Sequence, residues 1–252
     1  AWGVGRGTRI EVEDKVYFPH SLGIFYQALT QFIGFPNYGD EYKVMGLAPY
    51  GQPTEKEKMR KIVRLLPEGR FELNLDYFVH HSEGVAMVWD NGEPTIGRVF
   101  SSALEELFGP TRSREQPLET AHWNIAASAQ AMYEEAFFHI LDHVQHSTGL
   151  PSLALAGGCA MNSVANGKIL AATNFRDVYV QSAAGDAGGA IGAAFVVWNQ
   201  ELRQPRGFEM RHAYWGPEFS DDEVAALLAR RGDDLASRGC GVTRVEDEAV
   251  LC

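Results

Sequence analysis

Residues 151–167 read PSLALAGGCAMNSVANG: a short apolar run, two adjacent glycines, then small residues and an asparagine ahead of a helical stretch. Glycine loses more backbone freedom on folding than any other residue. A pair of glycines between a buried strand and a helix therefore needs a reason. The same order of parts returns at 177–194, DVYVQSAAGDAGGAIGAA, with an apolar strand, a glycine-rich loop and an apolar helix running on to Trp198. Uninterrupted apolar strands that alternate with helices predict a parallel sheet covered on both faces. These two units make the class α/β.

Two tandem strand–loop–helix units would place unpaired backbone amides and the positive ends of helix dipoles beside the C-terminal edge of the sheet, a setting that attracts anions. Glycine allows close approach where a Cβ would block a phosphate. On this reading Gly157 and Gly158 in the first loop, and Gly185, Gly188 and Gly189 in the second, form a phosphate or nucleotide site. The plain alternative is a tight turn and nothing more. Asp186 sits inside the second loop, where a carboxylate would repel phosphate unless a cation lay between them. It is therefore either a metal ligand or the N-cap of the following helix. There is no G-x-x-x-x-G-K-[ST] and no strand-borne G-x-G-x-x-G, so P-loop and Rossmann readings fail.

Outward from these loops the pattern is less repetitive. Residues 18–35, FPHSLGIFYQALTQFIGF, carry Leu22, Phe25, Leu29 and Phe32 at helical spacing, with Pro19 set to open the helix. DEYKVMGLAPYG at 40–51 reads as a short helix closed by Pro49 and Gly51, and EKEKMRKIVRLL at 55–66 as a charged, solvated helix with one apolar stripe. Residues 84–100 predict a hairpin turning at Asp90-Asn91-Gly92. One helix from Glu119 to His146 would span about 40 Å. Proline and glycine then gather from Gln204, a boundary is expected between Pro205 and Arg211, and SDDEVAALLARR at 220–231 reads as a newly capped helix.

Composition sets the outer limits. An apolar content of 45% over 252 residues supports a real core. A net charge of −11 argues against a nucleic-acid or anionic-membrane surface. No apolar run reaches the roughly 18 residues of a membrane span. Three cysteines without metal-ligand spacing, and no secretory segment, lead to the expectation of a cytoplasmic protein. His139, His143 and His146 share a helix face that could bind zinc, yet they continue an apolar stripe through Met132 and Ala136 and read as packing residues. Adjacent His80 and His81 point apart and cannot chelate together. Cys159 lacks a recognisable base and reads as a small, semi-buried residue.

Four segments taken together (18–35, 40–51, 155–170 and 178–194) resemble the O-carbamoyltransferase family of nodulation NodU/NolO-type and antibiotic-tailoring enzymes. The resemblance runs in order over nearly the whole chain. It implies an actin/Hsp70/sugar-kinase-type (ASKHA) ATPase-like domain over residues 1–207, incomplete at its N-terminal side, followed at 208–252 by a linker and the beginning of a YrdC-like domain that forms carbamoyl-adenylate. The implied reaction is ATP-dependent transfer of a carbamoyl group, from carbamoyl phosphate through carbamoyl-adenylate, to a hydroxyl of a sugar or natural product. ATP, bound as carbamoyl-adenylate or AMP, and a divalent metal (iron in the family) are the implied cofactors. Asp186 becomes a metal ligand; Gly157, Gly158 and Asn162 would line the adenylate, and Glu41 and Lys43 would border the nucleotide pocket. A homodimer is one expected assembly; nucleic acid and membrane are not expected partners.

The chain also departs from the family pattern. The family's H-x-x-x-H metal motif lies upstream of the PHSLG segment, and nothing of that kind precedes Phe18; His139 and His143 have the spacing but the wrong place. The chain reads as the middle of a longer enzyme, and as an isolated piece it is expected to lack transferase activity. The alternatives are a kinase or ATPase of the same superfold, or a nucleotide-binding fragment without activity of its own.

Overall fold

The structure is a computed structural model that describes residues 1–90 and 92–245. These fall into two compact units, the first over Ala1–Glu209 and the second from Met210 onward. The first opens with an antiparallel hairpin, β1 (Trp2–Arg6) and β2 (Arg9–Asp14), then α1 (Leu22–Phe32), α2 (Glu41–Leu47) and a single 3-10 turn over Ala48–Tyr50. α3 (Lys56–Ile62) runs into a second hairpin of β3 (Val63–Leu66) and β4 (Arg70–Leu73). A third hairpin pairs β5 (Met87–Asp90) with β6 (Glu93–Ile96), as the sequence predicts; Asn91 at its turn lies outside the described residues. α4 (Ser102–Phe108) and the long α5 (Thr120–Thr148) follow. The remainder is β7 (Ser152–Leu155), α6 (Ser163–Asn166), α7 (Ile169–Ala172), β8 (Asp177–Val180) and α8 (Gly188–Val196). The second unit holds α9 (Asp221–Arg230) and α10 (Gly232–Ser237).

The core is organised on α5. Its positions Ile125, Ala129, Met132, Tyr133, Ala136, Phe137, Leu141 and Val144 are buried at three- and four-residue spacing, and the alanines let neighbouring backbones come close. α1 lies beside it, and Phe25, Leu29 and Phe32, each essentially inaccessible to solvent, belong to the same core cluster. Burial of each such side chain contributes about 1.5–3 kcal/mol. A polar seam fixes the register of the two helices. Tyr26 donates from its hydroxyl to Gln130 Oε1 at 2.8 Å, and the rings of Tyr26 and Tyr133 meet edge to face at 5.6 Å. α5 begins with a capping box between Glu119 and His122 and ends where Gly149 turns left-handed at φ +64°.

Three local expectations change. Pro19 does not open α1. Ser21 caps it by accepting from Ile24 N–H, while His20 Nδ1 accepts from Leu73 N–H at 3.1 Å and clips the approach to β4. Residues 55–66 are not one solvated helix. Met59 and Ile62 are fully buried, and from Val63 the chain pairs antiparallel with Arg70–Leu73 across a turn at Glu68-Gly69, both at positive φ. The apolar pair Phe71 and Leu73 supplies a cross-strand partner that helix periodicity alone cannot reveal. The helical stretch expected after the first glycine loop is broken in two at Gly167-Lys168, where a glycine interior costs about 1 kcal/mol against alanine.

The parallel pair is present. β7 and β8 run in register from Ser152–Asp177 to Leu155–Val180. The covering on both faces is not. Leu153, Leu155 and Val178 pack on the core, whereas Ser152, Ala154, Asp177 and Tyr179 on the opposite face are exposed. α8 is apolar throughout and has no buried residue. In the second unit α9 carries the expected cap: Ser220 Oγ accepts from Glu223 N–H, and the Glu223 carboxylate accepts in return from Ser220 N–H. Among the described residues, no helix is long and apolar enough to cross a membrane.

Candidate functional site

The two glycine loops meet at the C-terminal ends of the parallel strands. Gln181 N–H donates to Leu155 O at 3.2 Å and Gly157 N–H to Ala184 O at 2.7 Å, so the chain leaving β7 is tied to the chain leaving β8. Their glycines are not equivalent. Gly157 adopts φ +98°, a left-handed conformation that L side chains resist, and a Cβ on Gly188 would stand 2.1 Å from the carbonyl oxygen of Ala183. Turn and packing account for both. A Cβ on Gly185 would come 3.1 Å from Met161 Sδ, the end of a flexible side chain. Gly158 and Gly189 have neither constraint: φ is not positive at either, and an added Cβ would meet nothing within 4 Å. Both flank open space at the start of a helical turn. Fold geometry alone does not ask for glycine there; close approach of a ligand would.

Asp186 is exposed and does not cap α8. The residue preceding that helix is Ala187, which makes no side-chain cap. The carboxylate instead accepts a hydrogen bond from the Tyr38 hydroxyl, through Oδ2, across a separation of 148 residues in sequence. That bond pushes the Tyr38 phenol up, and partial burial adds to it. Tyr38 carried no motif and went unread in the sequence. The sequence signal was its place two residues before the DEYK segment, a loop position whose meaning depends on what lies opposite.

Glu41 is the first residue of α2, and burial pushes its carboxyl up. Its charge acts on Tyr38 and on Cys159. Lys43 is held by Asp40 at 2.6 Å and sits over the Phe35 ring at 5.3 Å; its charge is neutralised within its own segment. Asn162 turns inward. Its Oδ1 accepts from Ala165 N–H at 3.0 Å and from Gln130 Nε2 at 3.1 Å, while its Nδ2 donates to Gln130 Oε1 at 2.9 Å. That network caps α6 and pins the first loop to α5, which accounts for the side chain without a ligand. Burial, and then the charge of Glu41, push the Cys159 thiol up, which keeps it protonated and a poor nucleophile.

The three helix histidines have separate partners. A ring nitrogen of His139 bonds Leu66 O at 2.7 Å, one of His146 bonds Asp142 O at 2.7 Å, and the His143 ring meets Trp2 edge to face at 5.7 Å. A metal on Asp186 needs further donors. Among the described residues no three His, Cys, Asp or Glu side chains come together, so these residues do not by themselves make a metal centre.

Comparison with known proteins bears on this arrangement directly. Residues 2–195 match the family described as Carbamoyltransferase N-terminus, a stretch that runs from β1 into α8 and includes both glycine loops. The uncharacterized protein sll1178 of Synechocystis sp. is 39% identical over 230 residues, covering 89% of this chain and 35% of the relative. Nodulation protein NolNO of Sinorhizobium fredii is 34% identical over 260 residues, 98% of this chain and 34% of its own length. Nodulation protein NolO of Bradyrhizobium diazoefficiens is 35% identical over 247 residues, 93% of this chain and 40% of its own. The chain thus spans between a third and two-fifths of the length of these three relatives. With its two glycine loops and most of its length inside the matched region, the chain belongs to the carbamoyltransferase N-terminal family.

Proposed function

We propose that this chain is the nucleotide-binding core of an ATP-dependent O-carbamoyltransferase with an ASKHA-type ATPase-like domain, and that carbamoyl-adenylate or AMP lies across the two glycine loops. The observation that carries this reading is the pair Gly158 and Gly189, at which neither backbone conformation nor packing requires glycine, in the segments that follow β7 and β8. Ligands of open α/β sheets gather at the C-terminal edge of the strands.

The chemistry would be acyl transfer from a mixed anhydride. The acceptor hydroxyl attacks the carbamoyl carbonyl, the carbon–oxygen bond to phosphate breaks, and AMP leaves with the bonding pair; the hydroxyl proton passes to a base. Backbone amides of the glycine loops would hold the phosphate and its charge. A metal liganded by Asp186, if the complete protein holds one, needs donors from outside the described residues, and it would polarise an oxygen of the donor. Carbamoyl phosphate and a hydroxyl-bearing sugar or natural product are the proposed substrates, and a YrdC-like domain in the complete protein is the proposed source of the adenylate.

Calorimetric titration with ATP and AMP tests the site, comparing the wild-type chain with Gly158→Glu. Saturable binding that the substitution abolishes, with an unchanged melting temperature, is the expected result. Equal binding by both proteins would remove the first loop from the site. Carbamoyl-phosphate-dependent release of pyrophosphate from ATP by the complete protein then separates a carbamoyltransferase from a kinase of the same superfold.

A further inference from the structure

We propose that Tyr38 is a positioning residue for the second glycine loop: its hydroxyl holds the Asp186 carboxylate and so sets Gly185–Gly189 for the phosphate of a bound nucleotide. The inference rests on the nucleotide reading above and extends it to a residue outside both loops.

The two ends of this hydrogen bond differ in how firmly they are built. Tyr38 stands on a fixed platform. Its N–H donates to Pro94 O at 3.0 Å, Asn37 bridges to Thr95 on β6, and Asn37 N–H donates to the buried Asp40 carboxylate at 3.2 Å. Gly39 then turns at φ +87° to bring the chain into α2. All of these bonds are made by the backbone or by neighbouring side chains, so the platform does not depend on the Tyr38 ring.

The loop at the other end has little of its own to hold it. Asp186 and Gly189 are exposed, and α8 behind them buries nothing. Gly157 N–H anchors the loop at Ala184, and the bonds beyond that point run within it, from Gly188 N–H to Gly185 O and from Gly189 N–H to Asp186 O. Apart from the backbone bonds of α8 and its first turn, among them Ala190 N–H to Ala187 O, the hydrogen bond that reaches Gly185–Gly189 from elsewhere among the described residues comes from Tyr38. A glycine-rich segment with so few contacts samples many conformations, and a ligand that needs one of them must restrict it on binding. Tyr38 restricts it beforehand, which raises affinity without touching the ligand. The bond engages Oδ2 of Asp186.

The test is a double-mutant cycle read by AMP binding. Wild type, Tyr38→Phe, Asp186→Ala and the double variant are titrated with AMP, alongside thermal unfolding and peptide-level hydrogen exchange. Tyr38→Phe is expected to weaken AMP binding about 10-fold, the size of one hydrogen bond to a charged group, and to speed exchange in peptides covering 183–189. The melting temperature should not move, because the substitution removes only the hydroxyl and keeps the ring, which is about half exposed at 47%. In the Asp186→Ala background the same substitution should have no effect, since the partner is gone. Wild-type AMP affinity in Tyr38→Phe would overturn the inference and leave the nucleotide site standing. An equal loss in both backgrounds, or a loss that follows a lowered melting temperature, would overturn it too, by giving Tyr38 a purely structural part. Failure of the wild-type chain to bind AMP would remove the nucleotide reading and this inference with it.

Discussion

α1 buries eight of its eleven residues, while α8, which reads as the more apolar helix, buries none of its nine. Both are short and follow a loop, and neither carries an acid in its first turn or a base in its last. What separates them is the partner. α1 has α5 alongside it, with Tyr26 bonded to Gln130 and Phe25, Leu29 and Phe32 seated in the core. α8 follows a two-stranded parallel sheet whose outward residues Ala154 and Tyr179 are exposed as well. Apolar sequence expresses a capacity for burial; a second surface must be present to use it.

Substitutions can break or sharpen that contrast. Phe25→Ala removes a fully buried ring from the α1–α5 contact and should cost about 3–5 kcal/mol in urea unfolding; a cost below about 1 kcal/mol would mean that α1 is not packed as described. Gly188→Ala drives a methyl against the Ala183 carbonyl and should cost about 1–3 kcal/mol by the same assay. Gly158→Ala should leave stability within about 0.5 kcal/mol, since its methyl meets only open space. If the two glycines behave alike, the distinction between a glycine required by the fold and one left for a ligand collapses.

Glu41→Gln probes the boundary between core and site. Burial raises the folded-state pKa of Glu41, so its ionisation opposes folding once the pH exceeds the unfolded value. Below that value the carboxyl is protonated in both states and the penalty is absent. The glutamine variant should therefore melt a few degrees higher than wild type near pH 7, and the gain should shrink as the pH falls through the carboxylate range. An unchanged melting temperature at pH 7 would show that Glu41 is better solvated than its place on α2 indicates. The smallest effect is expected in α8, where Val196→Ser should change stability by less than about 0.5 kcal/mol. A larger loss in the complete protein than in this chain would show that another surface covers α8 there.

The parallel pair and the loops that follow it were legible because they depend on local chain geometry. Two strand–glycine–helix units in tandem imply a parallel pair with adjacent loops, and β7 and β8 are that pair. The meaning of individual residues was less so. Asn162 lies beside the glycines in sequence, yet its side chain serves α6 and Gln130. Asp186 could be a cap or a ligand on local grounds; Tyr38, 148 residues away, engages its carboxylate. Residues 55–66 read as a helix because their spacing fits one, but a cross-strand partner at Arg70–Leu73 claims the second half.

By itself the sequence determined the α/β class, the helix that organises the core, and the positions of the glycine loops. Those features rest on periodicity and on the conformational range of single residues, which neighbours in sequence reveal. Only the tertiary structure decided which glycines face open space, which polar side chains are spent on the fold, and which apolar surfaces find a partner. Each of those depends on atoms brought together from distant parts of the chain, and the free energy of burial or of a hydrogen bond exists only once both sides are in place.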